Sequence, residues 1–216
     1  MSTRQPQRKF ERRFFSGPIE VRMDGTEQES RLIEGYALLF NTPYDIGEDR
    51  IEEIASGSLD GADMSDVVAL FNHDVNIPLA RNSSGTLTLS VDERGLKYAF
   101  NAPISPNGDN VLEAVKSRTV KQSSFGFECD EADYTIQEGK RHRRITKFKK
   151  IWDVSPVTFP ASPETEVDSR GMSPDEASNG AWDKLEMSME NEKITALRSA
   201  EVRVILASYP QQNTQI

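Results

Sequence analysis

Cysteine and histidine are nearly absent. A single cysteine, Cys129, and two histidines, His73 and His142, are all that the 216 residues offer of the types that build disulfides and Cys/His zinc centres. One thiol makes no internal disulfide, and the three groups together fall short of a four-ligand zinc site. A disulfide scaffold and a zinc finger are therefore excluded. No apolar run approaches the roughly 18 residues of a membrane span, and the arginines near the N-terminus are not followed by the apolar stretch of a signal peptide. These absences predict a protein of the cytosol, or of the inside of an assembly, with no membrane partner. Apolar content is also low, at 36%, which predicts one domain with part of the chain outside its core. Positive charge is outnumbered, with 26 Lys and Arg against 35 Asp and Glu. Phosphate neutralisation needs a local cationic excess, so this balance argues against a general nucleic-acid binder.

What is present is organised in blocks. Residues 1–15 carry Arg4, Arg8, Lys9, Arg12 and Arg13 against Glu11 alone, and read as a flexible basic arm. From Ser16 short apolar runs alternate with turn residues, as in Ile19 to Met23, Asp24-Gly25, and Arg31 to Phe40. The strict alternation of Gly85 to Val91, the turn Asp92-Glu93-Arg94-Gly95 and the return over Leu96 to Phe100 predict a β-hairpin. Ser56 to Leu59 could open a short helical turn. Asn107 or Asp109 can cap a helix bearing Val111, Leu112 and Val115 on one face, with extended structure resuming at Arg118 to Val120. Arg143 to Val154 and Ser155 to Phe159 read as a further strand stopped by Pro160 and Pro163. Many strands with one or two helices predict a barrel-like α+β domain over residues 16–167. Ser, Pro, Asp, Asn and Gly crowd residues 168–180, a linker. In the tail, residues 181–216, Leu185, Met189, Ile194, Leu197, Val204 and Ile205 are spaced to stripe one or two helices, either packing back on the domain or meeting a partner.

Chemistry that needs an imidazole has two candidates. His142 lies in Lys140-Arg141-His142-Arg143-Arg144, where surrounding positive charge disfavours its protonated form. His73 lies in Leu70-Phe71-Asn72-His73-Asp74, emerging from the apolar run Val67 to Phe71; alone, such a residue is more often structural or a surface residue. Ser123-Ser124-Phe125-Gly126-Phe127 places two hydroxyls ahead of an aromatic strand, with Gly126 removing a side chain where backbone or substrate could approach. A serine attacks only when a base takes its proton, so this block needs His73 beside it, and otherwise reads as a turn. Trp152-Asp153-Val154-Ser155 sets one carboxylate in an apolar strand. A buried carboxylate is costly unless paired; its partner is either His73, whose tautomer it would fix, or a nearby Arg or Lys. Cys129, an odd number of residues beyond Ser124, falls on the opposite strand face. The run Lys140 to Lys150 holds seven Lys or Arg, but without stacking aromatics beyond Phe148 it reads as a strand with a solvated face.

Taken together, these blocks resemble the prohead proteases of tailed bacteriophages. The resemblance covers residues 30–168 and is carried by Glu34-Gly35-Tyr36-Ala37 through Phe40-Asn41, Ala69-Leu70-Phe71-Asn72-His73-Asp74 with Pro78-Leu79-Ala80-Arg81, Gly85-Thr86-Leu87, Ser124-Phe125-Gly126-Phe127, and Val154-Ser155-Pro156-Val157-Thr158-Phe159-Pro160-Ala161. It implies an α+β fold, mainly antiparallel β: a closed β-barrel ringed by a few helices, as in the related herpesvirus assembly proteases. It also implies His73 as general base, Ser124 as nucleophile and Asp153 in the third role. Three positions depart from the family pattern. Asp153 stands where relatives mostly have Glu, and the herpesvirus enzymes a second histidine. Ala80 stands for a usual Gly. Ser123 stands for a usual Met, which leaves a second hydroxyl beside the first.

The function so implied is an endopeptidase of head maturation, working in the host cytoplasm inside the assembling prohead, without metal or cofactor. Its partners would be phage scaffold, major capsid protein and the enzyme itself through autoproteolysis at its flexible ends; a homo-oligomer stays open. Backbone N–H groups near Ser124 and Phe125, or Arg81, are candidates for the oxyanion donors. The rival reading is a non-catalytic scaffold or capsid-assembly protein on the same fold, predicting stable association and no shortened products.

Overall fold

The computed structural model describes residues 11–15, 19–21, 30–47, 49–158 and 180–208. The chain divides into two units, Met1–Ala177 and Ser178–Ile216. In the first, the strands in chain order are β1 (Glu11–Phe15), β2 (Ile19–Val21), β3 (Leu32–Leu39), β4 (Tyr44–Gly47), β5 (Arg50–Ile54), β6 (Val68–Phe71), β7 (Asp74–Arg81), β8 (Leu87–Val91) and β9 (Gly95–Asn101). Helix α1 (Pro106–Lys116) then leads into the long pair β10 (Gln122–Gln137) and β11 (Lys140–Val157). The described part of the second unit is one helix, α2 (Ala181–Ser208), on which Met187, Met189, Ile194 and Leu197 are exposed.

Two sheets result. One orders its strands β2-β3-β9-β8 and contains the hairpin expected over residues 85–100, with Leu87 opposite Phe100 and Val91 opposite Leu96. Asp92 closes its turn by accepting from the N–H groups of Arg94 and Gly95. Gly95 is required there by space, since a Cβ would lie 2.0 Å from the Leu38 carbonyl oxygen. The other sheet runs β1-β10-β11-β5-β4, with β6 also on β11 and β7 on β6. Strand β11 is long enough to give one edge to two partners in turn. Arg141–Ile145 pair with β5 and, further on, Asp153–Val154 pair with β6, both in parallel.

The expected closed barrel is not what these strands form. A barrel needs its last strand hydrogen-bonded to its first, whereas among the described residues β1 and β4 end one sheet and β2 and β8 end the other. The class is α+β, mainly strands, with two α-helices among the described residues. Other local expectations also shift. Ser56 to Leu59 form successive turns, not a helix. Helix α1 is capped by Ser105, whose Oγ accepts from the Gly108 N–H at 3.2 Å, with Pro106 at the first helical position. Extended structure resumes at Gln122 rather than Arg118, which sits at φ +60°. The last five residues of the expected basic arm are strand β1; residues 1–10, the segment beyond Thr158 and the linker up to Asn179 lie outside the described residues.

Both sheets and α1 bury one apolar core. Phe125, Phe127 and Phe148 meet with centroids 4.9–5.9 Å apart, alongside Ile145, Ile151 and Val154 from β11, Ile33, Leu38, Leu96 and Phe100 from the smaller sheet, and Val111, Leu112 and Val115 from α1. Burying each such side chain contributes about 1.5–3 kcal/mol before conformational entropy is counted.

Candidate active site

Strand pairing brings the three sequence candidates to one place. In the β10–β11 ladder Ser124 lies opposite Ser155 and Gly126 opposite Asp153. Side chains two apart share a face, so Ser124, Asp153 and Ser155 line the same side of the ladder. Gly126 adds no side chain beside Asp153. Trp152 is the extra residue of a bulge, since Gly126 pairs with Asp153 but Phe127 pairs with Ile151. Bulges of this kind re-aim neighbouring side chains.

Parallel pairing of Val68 with Asp153 carries β6 past the carboxylate, and the chain turns back at Asn72-His73. Both turn residues have left-handed φ, +52° and +56°, as a two-residue hairpin turn of type I′ demands. Asparagine and histidine enter that region more often than most residues, still at a cost; strain of about 1–3 kcal/mol at such a residue persists only where the surroundings hold it. Asn72 supplies the hold. Its N–H donates to the Pro156 carbonyl at 3.0 Å, its Oδ1 accepts from the Thr158 N–H at 2.9 Å, and its Nδ2 donates to Thr158 Oγ1 at 3.3 Å.

His73 Nδ1 lies 2.5 Å from Asp153 Oδ1, and its Nε2 is in hydrogen-bond contact with Ser124 Oγ. An ionised carboxylate only accepts, which puts the ring proton on Nδ1 and leaves Nε2 to accept from the Ser124 hydroxyl. Ser155 Oγ donates to the same Asp153 oxygen at 2.9 Å and lies 3.3 Å from His73 Nδ1. All four side chains are buried, and Ser124 has 0% exposed surface.

The neighbouring hydroxyl goes elsewhere. Ser123 points to the opposite face, as successive strand residues must, and its Oγ is 2.8 Å from the hydroxyl of the buried Tyr98. Burial holds that phenol above the ordinary tyrosine range, so it stays neutral. Cys129 sits among the bulges, with Sγ against the carbonyls of Glu131 and Lys147. Burial pushes its thiol up to about 11, which suppresses the thiolate a nucleophile needs. His142 lies toward the far end of the ribbon, opposite Thr135. Arg81 engages Asp66 through Nε and Nη2 at 2.6 and 2.5 Å, half exposed.

The basic run on β11 is largely matched by carboxylates. Arg143 meets Glu11 and Glu52, Arg144 meets Glu53, Lys147 meets Asp130 and Glu131, Lys149 meets Glu128, and Lys150 meets Asp63. Among the described residues no group of three or more His, Cys, Asp or Glu could hold a metal ion, and no helix is long and apolar enough to cross a membrane.

Two contributors escaped the sequence reading. Ser155 has no role of its own in the sequence blocks that contain it, although its place two residues after Asp153 on one strand is a signal. Asn72 likewise has no role of its own in the Leu70–Asp74 block, although an Asn after an apolar run is a turn signal.

A carboxylate, an imidazole and a serine hydroxyl in continuous contact is the arrangement of the serine hydrolases. The family of Caudovirus prohead serine proteases matches residues 17–204, and this chain belongs to it: the protein is a serine protease of the phage prohead. Among curated proteins no match was found. A solved structure, the bacteriophage T4 capsid assembly protease, gp21, is similar over 68% of this chain and 95% of its own, at 11% identity and a TM-score of 0.36.

Proposed function

We propose that the protein is an endopeptidase that cuts scaffold and capsid-protein segments, and its own chain, inside the assembling prohead, with Ser124 as nucleophile, His73 as general base and Asp153 as the group that orients the imidazole. The observation that carries this reading is the unbroken contact from Asp153 through His73 to Ser124 in a chain of this family. As Ser124 Oγ attacks the scissile carbonyl, His73 Nε2 takes its proton, and the carboxylate of Asp153 stabilises the imidazolium that forms. The proton then passes to the leaving amine, the acyl-enzyme remains, and water deprotonated by His73 releases it. Ser155 keeps the carboxylate aligned by donating to the oxygen that faces the ring.

Asp153 does the work of the longer Glu of most relatives because β6 and β11 are in direct register at Val68 and Asp153. The Asn72-His73 turn then delivers the ring to the carboxylate without an extra methylene. The test is intact mass over time after co-expression with the phage major capsid protein and scaffold, comparing wild type with Ser124→Ala, His73→Ala and Ser123→Ala. The expected result is shortened products with wild type and Ser123→Ala and none with the other two. Full-length masses for all four would favour a non-catalytic assembly protein.

A further inference from the structure

On the reading of Ser124 as nucleophile, the strand that carries it is already paired along the edge facing away from β11. Strand β1 runs antiparallel to β10, with Glu11 opposite Phe127, Arg13 opposite Phe125, Phe14 opposite Ser124 and Phe15 opposite Ser123. We propose that the edge of β10 over Ser123–Phe127 is a docking site for an extended polypeptide, and that residues 11–15 of this same chain occupy it, latched by Glu11 on Arg143. The N-terminal segment then lies where a substrate strand would lie, and Ser124 becomes reachable when that segment leaves.

Three features support this assignment. First, strand addition to a sheet edge takes its affinity from main-chain hydrogen bonds, so an edge that holds one extended segment can hold another. A five-residue edge strand offers little pairing of its own. Second, a buried charged contact anchors the segment at the end remote from Ser124. Glu11 is buried and meets Arg143 in the two-pronged manner, Oε2 to Nη1 at 2.5 Å and Oε1 to Nη2 at 2.9 Å. Third, Arg143 does not need Glu11 for charge balance. Glu52 of β5 lies 2.9 Å from Nη1, so departure of β1 leaves the buried guanidinium with a carboxylate beside it. A latch that has to open gains from such a second counter-charge. Ser124, with none of its surface exposed while β1 is in place, is the group that this opening would uncover.

The experiment measures the rate at which a fluorophosphonate reacts with Ser124 in the full chain, in Glu11→Gln and in a chain lacking residues 1–15, with thermal melts recorded for each. The expected order is wild type slowest, Glu11→Gln several-fold faster and the shortened chain roughly tenfold faster or more, because apparent reactivity scales with the fraction of molecules in the open state. A synthetic peptide of residues 8–18 added to the shortened chain should slow it again, and the same peptide with Gln at position 11 should need a higher concentration. Equal rates for wild type and Glu11→Gln, both folded, would overturn the proposal, and that comparison stands even if the shortened chain gives no cooperative melt. Absence of any reaction at Ser124 in all three proteins would instead overturn the nucleophile assignment on which the proposal rests.

Discussion

The near and far ends of the β10–β11 ribbon are made of the same two strands and use their residues differently. From Ser123 to Phe127 and from Val154 to Val157 every side chain is buried, whereas beyond Glu128 exposure alternates along both strands. At the near end the polar groups Ser123, Ser124, Asp153 and Ser155 are each tied to a neighbour across the ladder, the turn or the other sheet. At the far end lysines and arginines pair with acids in contact with water, such as Lys147 with Asp130 and Glu131. Exposed pairs are worth about 0–1 kcal/mol each, while a buried polar group left without its partner costs about 1–3 kcal/mol. The lesson is that the ribbon concentrates consequence where it is covered. The bulges between the two ends mark the change.

Substitutions along the ribbon sharpen that contrast. Asp153→Asn should have the largest effect, lowering the rate of autocleavage by about 10⁴-fold, because the amide favours the wrong ring tautomer, while the thermal midpoint stays close to wild type. Ser155→Ala should come next. It removes one donor to the carboxylate, with an expected loss of about tenfold in the same assay and recovery in Ser155→Thr. Lys147→Ala at the far end should move the midpoint by no more than about 1 kcal/mol of stability and leave autocleavage unchanged. A Lys147→Ala effect as large as that of Ser155→Ala would erase the distinction between the two ends.

Much of the near end was legible in the sequence because its residues are local blocks. Leu70-Phe71-Asn72-His73, Ser123 to Phe127 and Trp152 to Ser155 each announce a polar group within an apolar strand. Alternation likewise marked the hairpin of β8 and β9. Pairing between distant strands was not legible, since period-two alternation identifies a strand and its buried face but not its neighbour. Nothing local in Glu11–Phe15 points to β10, and the arm's basic residues suggested solvent instead. The parallel use of one β11 edge by β5 and then β6 is equally non-local, as is the open order of both sheets where a closed barrel was expected. The different surroundings of Ser123 and Ser124 also depend on a remote residue, Tyr98 of β9, whose hydroxyl meets that of Ser123 in the core.

The central claim is that Ser124, and not its neighbour, is the nucleophile activated by His73. The most direct measurement is fragmentation mass spectrometry of the fluorophosphonate-treated protein, read across the Ser123–Ser124 bond. The account predicts the adduct on Ser124 in wild type, its persistence in Ser123→Ala, and its loss in both Ser124→Ala and His73→Ala. An adduct on Ser123, or one on Ser124 that survives His73→Ala undiminished, would contradict it.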